Sequence, residues 1–243
     1  MQKYQTSLSF KQQLTDDVFL FRFQLVEPKT LVFNAGQYMI MFVPQANGEP
    51  ARRIYSIASP VTQTDSFDLL IKLVPGGIAS EFLRGLTVGQ SVIFQGPAGV
   101  FTLQENPRPK IFLATGTGIA PIFSMIKKVI GDQLSVISYL FWGLANYQEV
   151  YLFDQLKAIT EINPNFKFTI CLSREKDLST IPADDQKYFT FGHVDSCFNM
   201  LHASCSMFHD SDFYLCGQRE MAGAVGQQLL DQRISPSRII AEK

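Results

Sequence analysis

Residues Ile111 to Pro121, I-F-L-A-T-G-T-G-I-A-P, constrain the fold more than any other stretch. An apolar run from Ile111 to Ala114 meets Thr115 and a Gly116-Thr117-Gly118 turn. A helical pattern then opens at Ile119, with Pro121 in its first turn. Proline fits there because the first amides of a helix have no intrahelical partner to lose. A strand, a glycine turn and a helix N-terminus in that order make an anion site. Backbone N–H groups face the ligand, and small residues let phosphate approach. The stretch lacks the full G-x-G-x-x-G dinucleotide spacing, and an ordinary strand-to-helix turn shares its outline.

Two halves with different patterning surround it. Up to residue 103, short β-rich segments recur at Val18–Phe23, Tyr38–Val43, Ile54–Ala58, Phe67–Val74 and Ser91–Gln95, with one helical stretch at Ile78–Leu86. Pro, Gly, Asn and Asp punctuate them every 10–15 residues or so, the rhythm of a small antiparallel barrel. From residue 110 onward, predicted strands Lys110–Thr115, Leu134–Trp142, Phe166–Leu172 and Asp212–Cys216 alternate with helical patterns over 119–130, 147–160 and 218–232. That alternation implies βαβ units and a parallel sheet. Glu105-Asn106-Pro107-Arg108-Pro109 reads as a stiff connector. The expectation is an N-terminal antiparallel β-barrel over 1–104 and a C-terminal α/β Rossmann-like domain over 108–243.

With 46% hydrophobic and 18% charged residues, the chain can bury real cores. Its formal net charge of −1, with no block of like charges, disfavours nucleic acid as a partner. No apolar segment approaches the roughly 20 residues that span a bilayer, and the first residues lack a signal-peptide pattern. A cytoplasmic protein without an integral membrane segment is expected. Four cysteines occur, at 171, 197, 205 and 216, and none forms C-x-x-C. His202, Cys205 and His209 have ligand chemistry at short spacing, but no fourth ligand is evident, so no metal is expected.

Arg52-Arg53-Ile54-Tyr55-Ser56-Ile57 lies on a predicted strand whose alternation puts Arg53 and Tyr55 on one face. A guanidinium and an aromatic ring side by side suit a phosphate plus a flat ring system. Pro75-Gly76-Gly77-Ile78-Ala79-Ser80 is a second glycine turn running into a helix, where the Ser80 hydroxyl could join the backbone amides around phosphate oxygens. Alone, either stretch could equally be an edge strand or a hairpin turn.

Together and in this order, these stretches resemble the ferredoxin–NADP reductase superfamily. Arg53-x-Tyr55-Ser56 is similar to its flavin motif, Gly76 to Ser80 to its flavin-diphosphate turn, and Gly116-Thr117-Gly118 to its nicotinamide-nucleotide loop. Gly36-Gln37-Tyr38, Gly96-Pro97-Ala98-Gly99 and Tyr214-Leu215-Cys216-Gly217 followed by Met221 extend the likeness over nearly the whole chain. The resemblance implies a flavoprotein that moves hydride from NAD(P)H to FAD. Arg53 and Ser80 would bind the diphosphate and Tyr55 would pack on the isoalloxazine. Ser56 would hydrogen-bond near the ring nitrogen that takes the hydride. Ile71, Gly76, Gly77, Ile78 and Ala79 would line the flavin site. Thr115, Gly116, Thr117, Gly118, Gly217 and Met221 would line the dinucleotide site, with Cys216 beside the nicotinamide. Ser56 and Cys216 would be the catalytic pair. The cofactors carry the hydride chemistry, so the protein needs no acid–base triad, only exact placement of two rings.

Ser173-Arg174, after the third parallel strand, resembles the pair with which NADPH-using relatives grip the 2′-phosphate, and an Arg fork suits that dianion. Glu175 and Asp177 are the counter-signal for NADH. Lys187-Tyr188 could add a cation and an adenine stack. The run Arg238 to Lys243 carries no aromatic to cover the flavin, and the short loop Ser59–Ser66 offers none to the adenine, which keeps FMN in play beside FAD. No iron–sulfur or haem motif is visible, so the electrons would go to a separate acceptor: ferredoxin, flavodoxin or an oxygenase component. A flavin reductase releasing reduced flavin, and an electron-transfer subunit of a larger complex, are the alternatives. Ile54 departs from the R-P-F/Y-S pattern of the former. The latter's C-terminal cysteine cluster is not found.

Overall fold

The computed structural model describes residues 1–46, 48–131, 136–202 and 206–242. Leu134 and Ser135 of the predicted strand, Cys205 and Lys243 lie outside the described residues. Two compact units result: Met1–Leu103 with Ala120–Lys128, and Gln104–Ile119 with the chain from Val129 onward.

The first unit is a curled sheet of six antiparallel strands, β1 (Gln2–Gln13), β2 (Val18–Glu27), β3 (Tyr38–Val43), β4 (Ala51–Ser56), β5 (Ser66–Lys72) and β6 (Ser91–Ala98). Their order is β4-β3-β6-β1-β2-β5. The outer strands approach through a single bridge, Ile57 to Leu69, beside an Ala58 N–H to Asp68 carbonyl bond of 2.8 Å, so the sheet curls into a barrel joined at one point. Alternation turns Phe21, Phe23, Phe67 and Phe94 inward, where all four are fully buried. Phe94 meets Phe23 and Phe67 edge-on at centroid distances of 4.8 and 5.0 Å, the favoured geometry for aromatic rings. On the outside, Arg22 grips Asp68 with two bonds, from Nε at 2.6 Å and Nη2 at 2.9 Å.

One helix, α1 (Ile78–Gly85), lies against β3 and β4 and buries Ala79, Ser80 and Leu83. Eight residues are too few for a helix to persist by itself in water. Lys11 of β1 closes its far end: Nζ donates to the carbonyls of Leu83, Arg84 and Leu86 at 2.9, 2.8 and 3.1 Å. A cation there satisfies orphan carbonyls and complements the helix dipole.

The second unit is a six-stranded parallel sheet: β7 (Lys110–Thr115), β8 (Ser138–Leu144), β9 (Phe166–Leu172), β10 (Phe189–Phe191), β11 (Asp212–Cys216) and β12 (Ile239–Ala241). Helices α2 (Ile119–Gly131), α3 (Phe153–Ile162), α4 (Val194–His202) and α5 (Arg219–Asp231) connect them. The order is β10-β9-β8-β7-β11-β12. The chain steps outward from β7 to β10, then returns to lay β11 on the other side of β7. The switch point therefore falls between β7 and β11, and in open α/β sheets ligands bind outside the strand ends at that point. Ile111, Leu113, Phe213 and Leu215 face Val225 and Leu229 of α5, in one buried cluster.

Five elements differ from the pattern in the sequence. Helix α3 opens at Phe153 rather than 147, because Leu152 sits in the left-handed region at φ 60° and interrupts the run after a short 3-10 turn, Tyr147–Glu149. Strand β1, helix α4 and the three-residue strands β10 and β12 are additions.

At the N-terminal edge of the sheet, paired residues Lys110 and Asp212 form a buried ion pair of 2.8 Å. Asn106 serves both: its Oδ1 accepts from Lys110 Nζ at 2.7 Å and its Nδ2 donates to Asp212 Oδ2 at 2.8 Å.

Candidate functional site

In the first unit, the register of β4 against β3 sets the relevant side chains. Arg53 and Tyr55 lie opposite Met41 and Met39, whose side chains are buried, and Ser56 lies opposite Tyr38. The Arg53 guanidinium is exposed, with Nη1 donating to the Arg52 carbonyl at 2.8 Å. Tyr55 is half-buried against the barrel core, and burial pushes its phenol above the usual tyrosine range. The turn before α1 is left-handed at Gly76 (φ 69°), with open space where a side chain would stand. The Val74 N–H donates to Ser80 Oγ at 2.9 Å, so Ser80 staples the turn to the helix it precedes. No side chain caps the start of α1 at Gly77. The first turn of α1 therefore has amides that no capping side chain occupies, which suits a diphosphate. Ile71 is buried in the barrel core, at 3% exposure.

In the second unit, the loops at the switch point pack backbone to backbone. Cys216 pairs with Ala114 in register. A Cβ on Gly118 would stand 2.5 Å from the Cys216 carbonyl oxygen and 2.7 Å from Gly217 Cα. Gly217, at φ 128°, has its own Cβ position taken by Thr115. Thr115 Oγ1 accepts the Gln218 N–H at 2.7 Å and ties the two loops together. Residues Gly116–Gly118 form a 3-10 turn that leads into α2. The Gly116 carbonyl accepts from Trp142 Nε1 at 3.0 Å and from Tyr151 Oη at 3.1 Å, in addition to the Ile119 N–H. Met221, in α5, is buried in the core behind this edge.

The Cys216 thiol donates to Glu242 Oε2 at 2.7 Å. Glu242 is held there by the β11–β12 ladder, which its N–H extends by donating to the Leu215 carbonyl at 3.0 Å. Burial, reinforced by the Glu242 charge, drives the thiol far above the ordinary cysteine range. Cys216 is therefore a proton-bearing group and not a thiolate nucleophile.

Ser173 and Arg174 follow β9. Their N–H groups donate to the carbonyls of Leu144 and Ala145 at 3.0 and 2.9 Å, which fixes the backbone and leaves the Arg174 side chain exposed. Glu175 is turned the other way, accepting the Tyr147 N–H at 3.0 Å. Tyr188 stacks on Phe168 at 4.8 Å, with Lys187 over its ring at 5.1 Å. Among the described residues, no group of three or more His, Cys, Asp or Glu could hold a metal.

Glu242, Trp142 and Tyr151 are additions to the residues singled out by sequence. None lies in a recognisable motif; each reaches the switch point through the fold.

Comparison with known proteins agrees with this division. Residues 5–103 match the oxidoreductase FAD-binding domain family, and residues 112–227 match the oxidoreductase NAD-binding domain family. The chain is 31% identical over 241 residues to the toluate 1,2-dioxygenase electron transfer component of Pseudomonas putida, covering 99% of this chain and 67% of that protein. It is 33% identical over 153 residues to ferredoxin–NADP reductase B of Sorangium cellulosum, covering 63% and 62%. The solved cytochrome P450 reductase of Amycolatopsis superposes with a TM-score of 0.87 at 28% identity, over 100% of this chain and 69% of that one. A ferredoxin–NADP+ reductase from Neisseria gonorrhoeae with bound FAD and NADP shares the fold, with a TM-score of 0.78 at 20% identity, over 95% and 92%. The chain spans between 51% and 67% of the length of these curated relatives and of the propane 2-monooxygenase reductase component of Gordonia.

Proposed function

The chain belongs to the ferredoxin–NADP reductase superfamily, and from that premise we propose that it accepts hydride from NAD(P)H on bound FAD and passes electrons to a separate acceptor protein. When bound, FAD supplies the step between a two-electron hydride donor and a one-electron acceptor. Everything else falls to the chain's own residues, which bind, orient and exclude.

The residues fit the flavin. Arg53 presents an exposed cation, Tyr55 a half-buried ring, and α1 an uncapped N-terminus behind a glycine turn, all within one unit. Arg53 and the first-turn amides of α1 would hold the diphosphate, with Ser80 keeping the turn in shape. Tyr55 would cover one face of the ring system, and Ser56 would hydrogen-bond at its edge. Gly116 to Gly118 would receive the dinucleotide phosphates, and Cys216, with its proton held by Glu242, would flank the nicotinamide. Arg174 would bind a 2′-phosphate, which makes NADPH the favoured donor; the commitment of Glu175 to the Tyr147 amide supports this choice. The acceptor is proposed to be a ferredoxin, a flavodoxin or an oxygenase component, in line with the names of the relatives. The proposed compartment is the cytoplasm, where reduced nicotinamide nucleotides are supplied; no helix among the described residues is long and apolar enough to cross a membrane.

The observation that carries this reading is the backbone packing of Gly118 on Cys216 and Gly217 at the switch point. No side chain at position 118 could stand between the two loops, which supports a close backbone approach to the dinucleotide. The test is the visible spectrum of the purified protein and its response to NADPH or NADH without oxygen. Bound flavin that bleaches on addition is expected, as is a flavin-free Arg53→Ala variant. Turnover only with added free flavin would instead make the protein a flavin reductase. A colourless protein inert to both nucleotides would overturn the proposal.

A further inference from the structure

We infer that Trp142 and Tyr151 are positioning residues for the dinucleotide: they pin the Gly116 carbonyl inward and thereby aim the Thr117 N–H at the bound phosphate. The inference rests on the function proposed above.

A trans peptide points its C=O and the next N–H in opposite directions. Whatever fixes the Gly116 carbonyl therefore fixes the Thr117 amide. Within the turn one bond holds this carbonyl, from the Ile119 N–H, while Gly116 itself sits at φ 52° and glycine turns easily between conformations. Two further bonds come from outside the loop. Trp142 lies on β8, in register with Ala114 of β7, and Tyr151 lies in the connection from β8 to α3. Their donors reach one oxygen at 3.0 and 3.1 Å. The rings brace each other edge-to-face at 4.8 Å and 83°.

Burial makes the restraint strong. Trp142 is 0% exposed and Tyr151 5%. Turning the Gly116–Thr117 peptide over would break three hydrogen bonds to one oxygen at once, two of them from side chains that are themselves buried. A loop that must offer its amides to an anion is thus held in that state before the anion arrives, which lowers the ordering cost of binding.

The test is the affinity of oxidised NADP+ and NAD+ for the flavin-loaded protein, by titration calorimetry, in wild type, Tyr151→Phe and Trp142→Phe. Phenylalanine keeps most of each ring and removes the donor. Loss of one such hydrogen bond should weaken both nucleotides about five- to tenfold. Flavin content should hold, and in turnover the loss should fall on KM more than on kcat. In the nucleotide-free protein, the Thr117 amide resonance should move in Tyr151→Phe. Unchanged affinity and an unmoved Thr117 resonance in Tyr151→Phe, with a wild type that binds, would overturn this inference alone. A wild type that binds neither nucleotide would overturn the proposed function as well.

Discussion

Cys216 and Glu242, 26 positions apart in sequence, share a proton across 2.7 Å, with the thiol as donor and the carboxylate as acceptor. Burial and the neighbouring negative charge both raise the thiol pKa. The linkage has a definite sign. The folded state holds this proton more tightly than the unfolded chain does, so the stabilisation is complete below the ordinary thiol pKa of 9.0 and is lost as pH rises above it. Glu242→Gln removes the charge, so Cys216 should become more reactive at alkaline pH. Iodoacetamide labelling at about pH 9, read by mass spectrometry of the Cys216 peptide, should be faster in the variant than in wild type. Equal rates would remove the carboxylate from control of the thiol.

Gly118 and Gly116 are both glycines of one turn, yet they should respond differently to alanine. At Gly118 the new Cβ meets backbone atoms, the Cys216 carbonyl oxygen at 2.5 Å and Gly217 Cα at 2.7 Å, which no rotamer change can relieve. Overpacking of this kind costs about 1–3 kcal/mol. At Gly116 only left-handed strain applies, about 1–2 kcal/mol. Gly118→Ala should therefore have the lower urea midpoint of the two, together with a larger loss of nucleotide binding. The reverse order would contradict the packing of the two loops.

Arg174→Ala should discriminate between nucleotides. The backbone of Arg174 is fixed by the Ala145 carbonyl, so the substitution removes a charge and leaves the loop. Charge-assisted bonds to a phosphate are worth about 1.5–3 kcal/mol, so the KM for NADPH should rise roughly tenfold to a hundredfold. The KM for NADH should stay within about twofold, since NADH has no 2′-phosphate for that charge to meet. Parallel changes in both would take Arg174 out of the phosphate site.

Lys110→Met should destabilise the second unit by about 3 kcal/mol, the lower end of the range for breaking a buried pair, because Asp212 is left with a charge at 2% exposure. The lower end applies because Arg108 Nη1 stands 3.7 Å from the other Asp212 oxygen. Adding Asp212→Leu should restore part of the loss, since two apolar side chains replace the pair without an orphan charge. Chemical denaturation of both variants measures this. A double variant weaker than the single one would show that the pair itself is stabilising.

Much of this fold was legible because the central strands of the second unit are buried on both faces. Apolar runs mark β7 and β11 at the bounds the structure shows, and β9 also keeps its bounds although Lys167 within it is exposed. Strand β1 was not read as an element because its twelve residues carry lysine and four glutamines. Only Tyr4, Thr6 and Leu8 turn inward, and Thr6 is polar, made tolerable by an Oγ1 bond of 2.8 Å to the Val92 carbonyl. The candidate site divides in the same way. Glycine turns and Arg53-x-Tyr55-Ser56 are local patterns with a local meaning. Glu242, Trp142 and Tyr151 gain theirs only when parallel strands come into register, over separations of 26, 26 and 35 residues.

The three carbonyls held by Lys11 have a further consequence. The short helix proposed to hold the flavin diphosphate is finished by a side chain from the first strand, some 70 residues upstream. On the proposed reading, the cradle is complete only once the opening segment has docked, so a yellow colour would also report that the first strand is in place.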